Sequence, residues 1–171
     1  MDILIRQARP EEYEALGEVT VRAYVGDGLL DADPAGYYIG VLRDVAARAE
    51  DAVVLVAVRE DGTVLGGVAL APPGSRYCDI AGPGEAEFRM LAVDPAARGR
   101  GAGEALVREC VERARALPGV RALVLSTQPA MRGAHRIYER TGFVRTPERD
   151  WAPVPEVPLL TYRLEWQPGA E

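Results

Sequence analysis

The sequence predicts a layered α/β fold built on a mixed sheet. Three observations carry this: short apolar runs bounded by Gly, Pro and Asp, longer stretches with apolar residues spaced by three and four, and alternation of the two along the chain. Residues 3–8 (ILIRQA) alternate weakly and form a first strand. Pro10 and the acidic pair Glu11 and Glu12 suit a helix's first turn, and Tyr13, Leu16, Val19 and Ala23 then mark one buried stripe of a helix over 10–24. VGDGLLDADPAG is a loop, followed by a helix over 36–50. Strands at 52–58 (AVVLVAV) and 63–70 (TVLGGVAL) flank Glu60-Asp61-Gly62, a hairpin signal because Asp-Gly readily takes the positive φ of a tight turn.

Residues 71–85 form a long loop, and 86–93 (AEFRMLAV) a strand stopped by Asp94-Pro95. From Glu104 to Leu117 the apolar residues Leu106, Val107, Cys110, Val111 and Ala114 keep helical spacing until Pro118-Gly119. A strand at 121–127, a short helix at 130–141 closed by Gly142, and strands at 143–147 and 159–166 complete the order β-α-α-β-β-β-α-β-α-β-β, a single domain over 1–171.

Composition narrows the function. A net charge of -6, with twenty Arg and no Lys, argues against broad nucleic-acid binding, whose affinity rests on concentrated positive charge. The longest apolar run, Ala52 to Val58, is far short of the roughly twenty residues of a membrane helix, and no signal-peptide core lies among the first thirty residues. A cytoplasmic protein is expected. Cys78 and Cys110 have no metal-site spacing and read as two reduced thiols, so no metal is expected.

The informative stretch is strand, turn and helix at 87–108, EFRMLAVDPAARGRGAGEALVR. Gly99, Gly101 and Gly103 alternate at a helix start, where missing side chains let an anion approach several backbone N–H groups. Arg98 and Arg100 add positive charge at the rim, so a phosphate or pyrophosphate is the natural guest. A P-loop is excluded because the chain has no Lys, and a dinucleotide fingerprint fails because Glu104 or Leu106 stands where its third glycine belongs.

The segment Leu91-Ala-Val-Asp-Pro-Ala-Ala-Arg-Gly-Arg-Gly-Ala-Gly103 resembles the acetyl-CoA signature of the GNAT superfamily of N-acetyltransferases, R/Q-x-x-G-x-G/A after a strand ending in x-V-x-P. Residues Ala134 to Phe143 (AHRIYERTGF) resemble that family's later block, A-x-x-x-Y-x-x-x-G-F, in the same order and at the same separation. The resemblance implies a mixed sheet of about seven strands, splayed between the fourth and fifth, with about four flanking helices. It also implies transfer of an acetyl group from acetyl-CoA to a primary amine by direct attack in a ternary complex. Carried over residue by residue, the main chain of Leu91, Ala92 and Val93 would bond the acetyl carbonyl and pantetheine. The amides of Arg98, Gly99, Arg100, Gly101, Ala102, Gly103 and Glu104 would hold the pyrophosphate.

The acceptor must lose a proton, because an amine with pKa near 10.4 is almost wholly ammonium near pH 7. Glu87 matches the fourth-strand position where some family members carry a catalytic glutamate, and by alternation it should face the same side as Leu91 and Val93. It would act through one or two waters. Tyr138 sits at the family's tyrosine position, where its phenol can protonate the departing thiolate. Ser126 and Thr127 stand where other members place a glutamate, and Met131 where they often place an Asn that bonds CoA. His135 is the only histidine and reads more plainly as a surface or capping residue. Asp27, Asp31 and Asp33, with Arg149, Asp150, Trp151 and Glu156, would give an acidic, partly aromatic lining suited to a cationic small-molecule amine. A peptide amine, or a non-catalytic acyl-CoA-binding module, are the other readings. Dimerisation is left open.

Overall fold

The computed structural model describes residues 2–30 and 36–167. Asp31 and Asp33, part of the expected acceptor lining, lie outside the described residues. One seven-stranded sheet runs β1-β2-β3-β4-β5-β7-β6, with β1 at Ile3–Gln7, β2 at Val53–Arg59, β3 at Val64–Ala71, β4 at Glu85–Val93, β5 at Ala122–Thr127, β6 at Val144–Arg145 and β7 at Leu160–Glu165. All pairs are antiparallel except β4 with β5. The Asp61-Gly62 turn forms as expected: Gly62 takes φ +90, and the Asp61 carboxylate accepts from the Thr63 amide at 3.0 Å.

Helix α1 (Tyr13–Gly26), preceded by a 3-10 turn at Pro10–Glu12, packs on one sheet face through Leu16 and Val19 against Val54, Val56 and Val58. The expected helix over 36–50 is two helices, α2 (Tyr37–Arg43) and α3 (Val45–Ala49), which brings the α-helices among the described residues to five. The break is at Asp44, whose carboxylate accepts from the Ala47 amide at 3.1 Å and so caps a new helix within the predicted one. On the other face, α4 (Ala102–Arg115) buries Leu106, Val107, Cys110, Val111 and Ala114 against Leu55, Val68, Leu70, Phe88, Leu123 and Leu125. Helix α5 (Arg132–Arg140) adds Tyr138 to that layer.

Two features of β4 position the site. The parallel pairing with β5 covers only Glu85, Ala86 and Glu87, so the strands diverge from Phe88 onward, the splay that the family resemblance implied. At Met90 the strand bulges: β3 advances two residues from Ala69 to Gly67 while β4 advances three from Arg89 to Ala92, and Met90 takes φ 61. Strict alternation therefore fails. Glu87 and Arg89 pair with Ala71 and Ala69 and face the α1–α2 side, Met90 packs with Val21 and Leu42, and Leu91 and Val93 pack with the α4 layer. The expectation that Glu87 shares a face with Leu91 and Val93 is corrected by one extra residue.

Candidate active site

The space opened by the splay is a cavity of about 640 Å³. Leu91, Ala92 and Val93 form its β4 wall, and Arg98, Gly99, Gly101, Ala102, Gly103 and Glu104 its turn-and-helix end. These are the residues expected to hold the cofactor, except Arg100, which does not line it. Gly99 and Gly101 have φ +82 and +87, values that a side chain other than Gly's rarely tolerates. A Cβ on either would meet no atom within 4 Å, so the space before the first amides of α4 is open. Those amides have no intrahelical acceptor and carry the positive end of the helix dipole. Gly103 answers a different demand, since a Cβ there would come within 3.2 Å of Ile137 Cδ1.

The charge is local and cationic although the chain is acidic. Arg98, Arg132, Arg136 and Arg140 line the cavity, against Asp27 and Glu104. Sequence reasoning missed the last three arginines. They recur every fourth residue along α5, a spacing that puts them on one helix face, and that was the readable signal. The Glu104 carboxylate is committed: Arg140 and Arg108, at 2.7 and 2.8 Å, hold it below the usual carboxylate range. Arg98 forms a two-pronged pair with Asp27 at 2.8 and 3.0 Å, tying α1 to the glycine turn.

Neither residue expected to do chemistry lines the cavity. Glu87 is fully buried. Its Oε1 accepts the amides of Asp79, Ile80 and Ala81 at 2.9, 2.9 and 3.0 Å, whereas Oε2 is buried with no hydrogen-bond partner among the described residues. Burial pushes its pKa up, against the pull of those amides. Tyr138 is buried among Phe88, Phe143 and Tyr162, with ring centroids 5.5–6.0 Å away. Its phenol bonds to Thr127, on the β5 side of the gap, and burial raises its pKa, so it is protonated throughout the physiological range. Burial likewise lowers the His135 pKa, and its Nε2 stands 3.1 Å from the Gln128 carbonyl. That contact requires the proton on Nε2 and suits a packing and capping residue. Met131, at the usual Asn place, lines the cavity and puts its sulfur 3.5 Å from Thr127 Oγ1.

Of the acids expected to attract a cationic acceptor, Asp27 and Asp150 are already paired, and Glu156 is exposed. Asp27 holds Arg98, and Asp150 holds Arg145 at 2.9 and 2.8 Å while accepting the Thr161 amide at 2.8 Å. Trp151 donates from Nε1 to Ser126 Oγ at 2.9 Å, and Arg149 serves Glu85 at 2.9 Å. That region is a structural clasp between β5, β6 and β7 rather than an open acidic wall. Among the described residues no group of three His, Cys, Asp or Glu side chains is placed to hold a metal ion, and no helix is long and apolar enough to cross a membrane.

This arrangement has relatives. Residues 6–143 match the model of the acetyltransferase (GNAT) family. An uncharacterised N-acetyltransferase of Schizosaccharomyces pombe is 37% identical over 113 residues, which are 66% of this chain and 63% of that protein, so the match spans under two thirds of its length. Among solved structures, yncA of Salmonella typhimurium, a candidate acetyltransferase with its cofactor acetyl-CoA, superposes with a TM-score of 0.67 at 22% identity, over 100% of this chain and 98% of that one. The PaiA N-acetyltransferase of Thermoplasma acidophilum, in complex with coenzyme A, gives 0.68 at 19%, over 97% and 100%. The ribosomal-protein-S18-alanine N-acetyltransferase of Escherichia coli gives 0.71 at 17%, over 99% and 97%. At those identities the structural likeness concerns the fold, and the family match extends over most of the sequence: the chain belongs to the acetyltransferase (GNAT) family.

Proposed function

We propose that this chain transfers the acetyl group of acetyl-CoA to the primary amine of a small molecule, with both substrates bound together. The observation that carries the reading is a single cavity joining the unpaired length of β4 to the positive-φ glycines and first amides of α4. A long anionic ligand with an acyl end fits that shape and charge: the diphosphate at Arg98–Glu104, the pantetheine along Leu91–Val93. Arg132 and Arg136 add cationic groups beside the diphosphate. Bound acetyl-CoA supplies the acetyl carbon as a thioester, so that the new C–N bond forms as the C–S bond breaks.

The chain's own residues handle the protons. Glu87, whose Oε2 has no hydrogen-bond partner among the described residues and which lies outside the cavity lining, takes the proton released by the ammonium through a water relay. Tyr138, kept protonated by burial, returns one to the departing thiolate from the β5 side. Replacing Glu87 with Gln is expected to slow turnover most below about pH 8 and to recover partly toward the amine's own pKa near 10.4. The sign follows from the base: a carboxylate with raised pKa loses its charge at a higher pH than usual, so the wild-type rate falls on the acid side, and the variant's rate tracks free amine alone. A pH–rate profile checks this; a loss independent of pH would assign Glu87 to anchoring residues 79–81. Tyr138→Phe should lower kcat at least about tenfold with little change in acetyl-CoA affinity, and unaltered kcat would move the acid to another group.

The position of Glu87 and Tyr138 outside the cavity lining favours a second reading, a non-catalytic acyl-CoA-binding module. One experiment separates the two. Thermal shift with acetyl-CoA, CoA, ATP and NAD is run beside thiol release over polyamines, amino acids, aminoglycosides and short peptides. A shift with acetyl-CoA plus thiol release supports the enzyme, a shift without release supports the module, and no shift with acetyl-CoA or CoA overturns both.

A further inference from the structure

We propose that Arg132 and Arg136 recognise the phosphate on the ribose of the acyl donor, so that this chain selects CoA over its 3′-dephospho form. The inference rests on the acetyl-CoA reading of the cavity and adds the specificity of its outer end.

Four arginines line the cavity, and two of them are engaged. Arg98 is tied to Asp27 at 2.8 Å and Arg140 to Glu104 at 2.7 Å, and Asp27 and Glu104 are the acids of the lining. Arg132 and Arg136 are exposed, and among the described residues neither meets a carboxylate within ion-pair distance. Glu139, three residues after Arg136 on α5, is turned to β7, where it accepts from the Tyr162 phenol at 3.3 Å. Two guanidiniums on one helix face thus border the cavity with their donors open and their charge uncompensated.

Their place follows from how α5 lies on α4. A Cβ on Gly103 would come within 3.2 Å of Ile137 Cδ1, and Glu104 pairs with Arg140, so the contacts advance together along both helices. Residues earlier in α5 therefore lie toward the space before the first turn of α4. Arg136 comes level with the glycine turn, and Arg132, one helical turn earlier, reaches about 6 Å beyond it. The first amides of α4 and the open space at Gly99 and Gly101 serve the diphosphate. A ligand that ended there would leave two cations facing water. CoA continues past that point: one ribose ring further it carries a phosphomonoester, with about −1.5 to −2 charges near pH 7 and three acceptor oxygens. Two guanidiniums one turn apart match that group in charge, and their forks bond phosphate oxygens in pairs.

Isothermal titration calorimetry of CoA and 3′-dephospho-CoA on the full chain tests this in wild type, Arg132→Gln, Arg136→Gln and the double variant. Wild type should bind CoA at least about tenfold more tightly than dephospho-CoA, the scale of a charge-assisted hydrogen bond. Each single variant should narrow that gap and the double variant should close it, with the affinity for dephospho-CoA and the ligand-free melting temperature unmoved. Raising the salt concentration should shrink the wild-type gap, because exposed charges are screened. The inference is overturned if wild type binds the two ligands equally, if the double variant keeps the gap, or if the variants weaken both ligands alike, which would place the arginines on the diphosphate. Binding of neither ligand to wild type would overturn the acetyl-CoA reading and this inference with it, a result distinct from equal binding of both.

Discussion

Gly101→Val is expected to abolish the acetyl-CoA thermal shift and to lower kcat/KM at least about a hundredfold. At φ +87 a β-branched residue cannot stay without strain, and the backbone relieves it by leaving the left-handed region. Gly101 caps the N-terminus of α4, so that rotation turns neighbouring amides away from the open space before the helix. Charge-assisted bonds to phosphate are worth about 1.5–3 kcal/mol each, and losing two accounts for a hundredfold or more. Because a Cβ there meets nothing within 4 Å, the fold should suffer little, and the melting temperature without ligand should fall far less than binding does. Equal losses in both would mean that Gly101 serves the fold and not the anion.

Gly66→Val should show the opposite pattern: a large loss of stability from a residue that does not itself line the cavity. A Cβ at Gly66 would collide with the Ala92 carbonyl and stand 3.0 Å from Val93 Cα, both main-chain atoms that cannot swing aside. Forced overpacking of this kind costs about 3 kcal/mol or more. For a chain of this size that predicts a melting temperature lower by roughly 6–12 °C in thermal denaturation. A drop below about 2 °C would show that β3 and β4 can part at this point without cost.

Much of the fold was legible because its signals are local. The Asp61-Gly62 turn, the stop at Asp94-Pro95 and the stripe from Leu106 to Ala114 are each fixed by a few neighbouring residues. The glycine turn was legible for the same reason, since alternate glycines before an amphipathic helix have few other uses. What escaped depended on the fold bringing partners together, some of them distant in sequence. Nothing in the residues near Asp44 distinguishes a mid-helix aspartate from a cap. Gly66 reads as an ordinary strand glycine until Ala92 arrives across the sheet. The acids at 27 and 150 looked like a lining for a cation, but Asp27 meets Arg98 from 71 residues away, and Asp150 meets Arg145, five residues before it, where the chain turns back on itself. Arg132, Arg136 and Arg140 were passed over because a polar stripe on a short helix usually faces water, and only the cavity shows what this one faces.

The bulge at Met90 makes β4 a strand whose two halves answer to different neighbours. Upstream of it, the side chains of Glu87 and Arg89 belong to the α1–α2 layer; downstream, Leu91 and Val93 belong to the α4 layer. Inserting one residue just after Met90 would leave the composition almost untouched yet turn every later side chain through the sheet, putting Ala92 where Val93 now packs. The chain length of β4 is therefore constrained more tightly than the identity of most of its residues. A one-residue insertion between Met90 and Ala92 should cost more than several conservative substitutions in the same stretch, whereas removal of Met90 would straighten the strand and keep Leu91 and Val93 on the α4 side.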